Sequence, residues 1–389
     1  AKVNELRKKA RVTSEAYLQK ALKGPKTVPE AITPEKKYLQ SKDKFSCYGC
    51  GLCRELSPDA ICMKRDEEGI FYPQIIEGQE EKAKETVCLY GNESAGRAIK
   101  AAYTAHLSAE EELEVCSGGG VMKALAEEIW KQGGVVAGIG YYNSLFPEYH
   151  LAENIEEANG FFMEKYVEET FNDIFSQVKN ELVKGRKVLF MGSASKVDAL
   201  YHFLGKEEEN LYTVQILGKA LASQKVYEKY LESLEQSYGS KVVKVEFDNK
   251  IRTAQKPYTC ITFASGDIYV SSAYSNLFMY AVRRGHTTRH SMYTSKYMEK
   301  GIAVADCTVK NNSTKKEAFP MGEDMLCVHT EKGEKLLSLV ANQLVMQPYE
   351  EAELKQRVPL TEGRTLLMNK MEQGEDMQEI ILFNRQKKK

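Results

Sequence analysis

Two hydrophobic rhythms alternate along most of this chain. From Val121 to Trp130 the apolar residues keep the spacing of one helical face, Gly133-Gly134 halts the pattern, and Val135 to Tyr141 reads as a buried strand. Val167, Phe171, Ile174, Phe175, Val178 and Leu182 predict a second amphipathic helix ending at Gly185. A strand over Lys187 to Met191, a Gly192-Ser193-Ala194-Ser195 turn and a helix from Lys196 to Leu204 follow. A strand over Leu211 to Leu217 then precedes a long helix that Ser223 caps. This strand-turn-helix repetition predicts an α/β sheet with ligands at the strand ends. Further on, Val242 to Phe247, Thr259 to Phe263 and Ile268 to Val270 read as antiparallel strands, the last two joined through Ser265-Gly266-Asp267. The pattern closes with a helix around Asn276 to Arg284, strands near Ile302 to Asp306 and Leu326 to His329, and a helix from Glu331 to about Val345.

The first 92 residues do not share these rhythms. Residues 1–42 are lysine-rich, are broken by Pro25, Pro29 and Pro34, and carry one helical stretch from Ser14 to Leu22, so they read as a charged arm. Residues 43–92 form a unit too small for a large core, with a strand over Gly69 to Pro73. The remainder divides into an α/β core over 93–345 and a charged, partly helical tail over 346–389.

Composition narrows the functional classes. With 389 residues and 42% hydrophobic content the chain holds more than one core, and a formal net charge of -1 provides no basic surface for nucleic acid. No uninterrupted apolar run reaches membrane-spanning length and the first residues hold no signal-like apolar core, so a soluble cytoplasmic protein is expected. Nine cysteines, an odd number with three packed together, do not resemble a disulfide framework.

Those three carry the chemistry. Cys47, Cys50 and Cys53 recur at every third position in Ser-Cys-Tyr-Gly-Cys-Gly-Leu-Cys-Arg-Glu-Leu-Ser-Pro, with Gly49 and Gly51 freeing the backbone to wrap something small. The bacterial ferredoxin run is C-x2-C-x2-C-x3-C-P, and its fourth cysteine serves a second cluster. Here that position is Ser57, still followed by Pro58, so one cluster is expected and a second is not. Cys62 lies in an apolar strand and reads as a buried, inert thiol. Cys88 stands where a second ferredoxin motif would end, and its three companion positions hold no cysteine. The pattern therefore predicts one 4Fe-4S cluster on Cys47, Cys50, Cys53 and Cys88, and a reducing environment. A zinc site is the alternative, although zinc more often uses C-x2-C pairs.

Two glycine turns open helices. Ser117, Gly118, Gly119 and Gly120 precede the helix at Val121, where glycines and free N–H groups suit an anion, although such a run is equally a tight turn. Gly192, Ser193 and Ala194 have the same geometry and the same ambiguity. Arg283, Arg284, His286, Arg289 and His290 form the strongest basic cluster, read as a solvated loop in preference to an acidic docking site. Cys260, Cys307 and Cys327 fall within apolar strands and read as core thiols.

The order of these features resembles the coenzyme F420 hydrogenase/dehydrogenase beta-subunit family: a ferredoxin-like start, the Ser-Gly-Gly helix entry, the Gly-Gly-Val-Val strand, Lys165-Tyr166-Val167, Gly185 to Phe190, and Glu331-Lys332-Gly333. The likeness runs from about Lys44 to the mid-370s. It implies a mixed-sheet flavin-binding core behind a ferredoxin-like iron-sulfur module, with FAD contacted by Ser117 to Gly120, Lys165, Tyr166 and Gly192 to Ala194. It also implies electron exchange with a redox partner protein or a deazaflavin-type coenzyme, in an oligomer or larger complex. The chain departs from that family's pattern at several points. Gly192-Ser193-Ala194-Ser195-Lys196 replaces Gly-Thr-Pro-Cys-Gln, and Met292 and Ser295 replace a cysteine pair. Leu217-Gly218-Lys219 replaces a Cys-His-Gly segment, and Ala305 to Val309 retains only Asp306 of another motif. An adaptor subunit with a structural cluster and an empty flavin site is the rival reading.

Overall fold

The computed structural model describes residues 37–39, 42–43, 46–141, 145–218, 220–251, 253–283, 289, 295–356 and 373. The expected helix from Ser14 to Leu22, the basic residues Arg284, His286 and His290, and nearly all of the tail past residue 356 lie outside them.

An eight-stranded mixed sheet forms the centre. In chain order its strands are β1 (Ala101–Leu107), β2 (Val135–Gly140), β3 (Glu148–Ala152), β4 (Val188–Gly192), β5 (Leu211–Ile216), β6 (Cys307–Asn311), β7 (Asp324–Val328) and β8 (Leu344–Pro348), and across the sheet they run β8-β1-β7-β6-β5-β4-β2-β3. The pairs β2/β4, β4/β5 and β5/β6 are parallel and the others antiparallel. Strand β4 is buried along its whole length because helices cover both faces, as parallel strands require. Leu189 and Met191 point to the face covered by the helices Val121–Lys131 and Glu331–Val340. Val188 and Phe190 point to the face covered by Ile174–Val183 and Ala194–Leu204. A three-stranded antiparallel sheet, Val242–Asn249, Tyr258–Phe263 and Ile268–Ser272, packs with the Gln224–Tyr238 helix into a second core. The Ser223 side chain caps that helix, accepting from the Val226 N–H at 3.3 Å. Among the described residues no helix is long and apolar enough to cross a membrane.

Three expectations change. Val167 and Phe171 are not helical: Val167 bridges to Ala222 and Thr170 to Glu148, so the helix begins only at Ile174. The strand expected over Ile302 to Asp306 lies one step later, at Cys307–Asn311. The helix expected to reach Val345 stops at Val340, and Leu344–Pro348 turns back to pair with β1, whose own strand character carried no signal in the hydrophobic rhythm. The strand Leu344–Pro348 also crosses the expected core and tail boundary.

The cysteine segment is described as a short helix Leu52–Leu56, the antiparallel pair Ile61–Arg65 with Phe71–Ile75, and a short helix Glu80–Lys84. Leu52 and Cys50 are buried in the same core as the Ala194–Leu204 helix, so the segment is seated on the sheet's helical layer. A buried carboxylate fixes it there. Asp173, at the start of the Ile174–Val183 helix, makes no side-chain cap bond. Glu55 serves instead, accepting from the Phe175 N–H at 3.0 Å, the Ser176 N–H at 3.3 Å and the Ser176 hydroxyl at 2.9 Å. We expect Glu55→Ala to cost about 1–3 kcal/mol, since it strips a helix cap and leaves buried donors unpaired. Urea unfolding is the measurement, with Glu55→Gln retaining part of the loss.

Candidate functional site

Cys47, Cys50, Cys53 and Cys88 line one cavity with about 460 Å³ of empty space counting its mouth, together with Tyr48, Gly51, Met63 and Tyr90. Cys50 and Cys53 are buried and Cys47 and Cys88 partly exposed. Burial pushes the Cys50 thiol up to about 12 and raises Cys53 as well. Backbone donors oppose that effect: the Gly49 N–H points at Cys47 Sγ from 3.4 Å, and N–H groups of Leu52 and Arg54 act on Cys50 and Cys53. Donors aimed at sulfur favour thiolates, the form that binds metal.

The segment that carries Cys88 is tied to the cysteine loop by a hydroxyl pair. Ser57, at the lost ferredoxin position, is buried and its hydroxyl meets that of Thr86 at 2.7 Å, two residues before Cys88. Cys62 does not line the cavity. It lies on the Ile61–Arg65 strand with its thiol toward the Gln74 carbonyl at 3.6 Å, and it is partly exposed where burial was expected. Among the described residues no three His, Cys, Asp or Glu side chains are grouped around one metal-ion position. Zinc–sulfur bonds of about 2.3 Å would require such a group. Four thiols line the one cavity without converging on a single ion position.

Beside this cavity lies an open cleft of roughly 1690 Å³ including its solvent-filled mouth. Tyr48 lines both, and Gly49 of the cysteine loop lines the cleft. Ile139, Phe161, Phe162 and Met191 form an apolar wall, and Ser117, Gly118, Gly120, Lys165, Gly192, Ser193 and Ala194 also face it. Gly119 and Tyr166 do not. Tyr166 is fully buried and its hydroxyl donates to Asp248 at 2.5 Å, toward the three-stranded sheet.

The two glycine turns prove unlike. At the Val121–Lys131 helix the anion position is taken by the protein's own carboxylate: Asp324 Oδ2 accepts from the Val121 N–H at 3.1 Å, and the Gly119 N–H also donates to Asp324. Glycine is needed there for packing, because a Cβ on Gly119 would sit 2.2 Å from the Ala105 carbonyl oxygen. At the Ala194–Leu204 helix the Ser193 side chain makes no cap bond with the backbone and pairs with the Ser195 hydroxyl at 3.2 Å. Its first turn lines the cleft without a side-chain cap, and among the described residues no carboxylate occupies it as Asp324 occupies the other.

Lys165 lines the cleft but turns its ammonium inward onto the carbonyls of Gly160, Phe161 and Met163. Burial lowers its pKa to about 7, while three carbonyl acceptors matched to three ammonium donors favour the charged form. Lys250 is held in the same way by the carbonyls of Leu113, Gly118 and Met321. Asp306 is a structural hub away from the cleft: it accepts from the N–H and hydroxyl of Thr213 and from the Thr330 hydroxyl.

Arg289 is the residue most misread by sequence. The expectation of a solvated basic loop gives way to a guanidinium that is 6% exposed and paired with Glu168. It also reaches the Phe71 carbonyl and, at 3.4 Å, the Cys47 carbonyl. Lys196 is likewise buried, with Glu169 at 3.0 Å. Nothing in the sequence pattern marks Glu168-Glu169 as cleft residues; two adjacent acids between Val167 and Phe171 fit the polar face of the expected helix.

One comparison finds a likeness. The chain is similar to a chain of the F420-reducing NiFe hydrogenase complex from Methanosarcina barkeri, with a TM-score of 0.46 and 15% identity, covering 75% of this chain and 92% of that one. No family model matches, and no curated protein matches. At that identity and score the likeness is distant, and the reading of the site rests on its own geometry.

Asp324 supplies a test of that geometry. Burial raises its pKa from 3.8 to about 6, against the two N–H donors and Lys250. A carboxyl with a raised folded pKa stabilises fully below its unfolded pKa, and that contribution is lost as pH rises through the folded one. Native stability should therefore fall by roughly 3 kcal/mol from this group between about pH 4 and pH 6. Asp324→Asn should flatten that interval in urea unfolding measured as a pH series.

Proposed function

We propose that the chain is an iron-sulfur flavoprotein oxidoreductase, exchanging electrons between one 4Fe-4S cluster on Cys47, Cys50, Cys53 and Cys88 and a flavin, read as FAD, in the adjoining cleft. The single observation that carries this reading is the shared wall: Tyr48 borders both the four-cysteine cavity and the cleft, so two bound groups would be separated by one side chain. A flavin handles electrons in pairs or singly and a cluster handles them singly, which is the chemistry the groups would supply.

The chain's own residues account for binding and shielding. Phe161, Phe162, Ile139 and Met191 offer an apolar surface for a flat ring system, and the open first turn at Ala194 and Ser195 offers N–H groups for a phosphate. Tyr48 is anchored by its hydroxyl on Glu93 at 2.6 Å and by edge contact with the Tyr297 ring at 5.4 Å, which keeps the dividing wall rigid. The outer acceptor would be a redox partner protein or a deazaflavin-type coenzyme. A second reading, an adaptor subunit with a structural cluster and no flavin, is favoured by one observation: Asp324 already occupies the first glycine turn.

Anaerobically purified protein assayed for iron, acid-labile sulfide and released flavin separates the two. Stoichiometric flavin with about four irons supports the oxidoreductase, and iron without flavin supports the adaptor. Cys88→Ser should remove most of the bound iron, whereas Cys62→Ser should leave it unchanged. The opposite result would reassign the fourth ligand.

A further inference from the structure

The cysteine loop is bracketed by two buried ion pairs that also line the cleft. Resting on the cluster reading above, we propose that Arg289–Glu168 and Lys196–Glu169 are paired positioning groups that set the reduction potential of a cluster on the loop. Through their place in the cleft wall, they also make that potential respond to the cleft's occupant.

Each pair guards one end of the loop. Arg289 lies across Gly49: a Cβ there would stand 2.6 Å from the guanidinium carbon, and Gly49 has φ +63, so the loop is shaped to admit this cation. Its Nε donates to Glu168 at 3.1 Å and its Nη1 to the Cys47 carbonyl at 3.4 Å, while the guanidinium stacks 4.7 Å over the Tyr72 ring. At the other end, Lys196 lines a small cavity with Cys50 and Gly51, and its ammonium is 4.2 Å over the Phe171 ring. The acids are consecutive residues of one extended segment, and Glu168 also accepts from the Phe71 N–H at 3.2 Å. All four side chains are 10% exposed or less, and all four line the cleft.

Two buried ion pairs are an unusual choice for fold stability alone, because desolvating four charges offsets most of their attraction. Their placement gives them a further consequence. Charge in a water-poor wall acts on its neighbours with little screening, so each cation favours the extra negative charge of a reduced cluster and each acid opposes it. The pairs nearly cancel at rest. A ligand that draws on either partner from the cleft side would uncover the other, and the cluster would feel the difference.

The test is the midpoint potential of the cluster, followed by EPR in anaerobic protein of the full chain with its iron and sulfide content measured. Glu168→Gln and Glu169→Gln, which keep the side-chain shape and one acceptor oxygen while removing the charge, should each raise the reduced-to-oxidised ratio at a fixed potential about tenfold. That is an upward shift of about 59 mV for one electron. Arg289→Gln and Lys196→Met should shift it by a similar amount in the opposite direction. Opposite signs at the two members of a pair are the signature of charge, since loosened packing would move all four variants alike. Unchanged potentials, or shifts of one sign throughout, with iron content at the wild-type level, would overturn the inference and leave the cluster reading standing. A wild-type chain that holds no iron would remove the cluster reading and this inference with it.

Discussion

Charge kept out of water must be answered by a partner, and the interior of this protein is organised by that requirement. Glu55 closes the start of the Ile174–Val183 helix, Asp324 closes the start of Val121–Lys131, and Glu168 and Glu169 hold Arg289 and Lys196. Each of these contacts joins segments far apart in the chain, and three of the four meet at the seat of the cysteine loop or beside it. An unpaired member would cost several kcal/mol, so these contacts specify how the parts sit together more than they add to net stability.

Seen this way, the cleft is a seam. The cysteine segment meets the sheet's helical layer through Leu52 and Cys50, and the extended stretch from Tyr166 to Phe171 passes between them. Along that stretch consecutive side chains part company: Tyr166 and Val167 join the core of the three-stranded sheet, while Glu168 and Glu169 face the cleft. The open turn at Ser193 lies on the carboxyl end of β4, where parallel strands in α/β sheets offer a crevice.

Much of the α/β body was legible in the hydrophobic rhythm, since strands such as Val188–Gly192 and helices such as Ala194–Leu204 owe their form to local periodicity and the burial it permits. The misses have a common cause. Ala101–Leu107 has partly exposed residues and mixed polarity, and Leu344–Pro348 is an edge strand, so neither carries a buried-strand pattern: the first is held between Asp324–Val328 and Leu344–Pro348, and the second pairs with it alone among the described strands. Val167 and Phe171 kept a helical spacing, but their segment is held extended by the Val167–Ala222 and Thr170–Glu148 bridges. Short glycine runs looked equivalent in sequence and differ because a carboxylate from β7 reaches only one of them.

What the sequence determined by itself is chemistry that lives in neighbouring residues: the evenly spaced Cys47, Cys50 and Cys53, the glycines that let their loop curl, and the alternation that builds a sheet with helices on both faces. What only the tertiary structure decided is which distant groups those residues meet. Cys88 reaches the same cavity, and Arg289 lies across Gly49 from 240 positions away in the chain. Spacing along a chain records local geometry, whereas the pairing of buried charges and the sharing of a cavity wall depend on how whole segments pack.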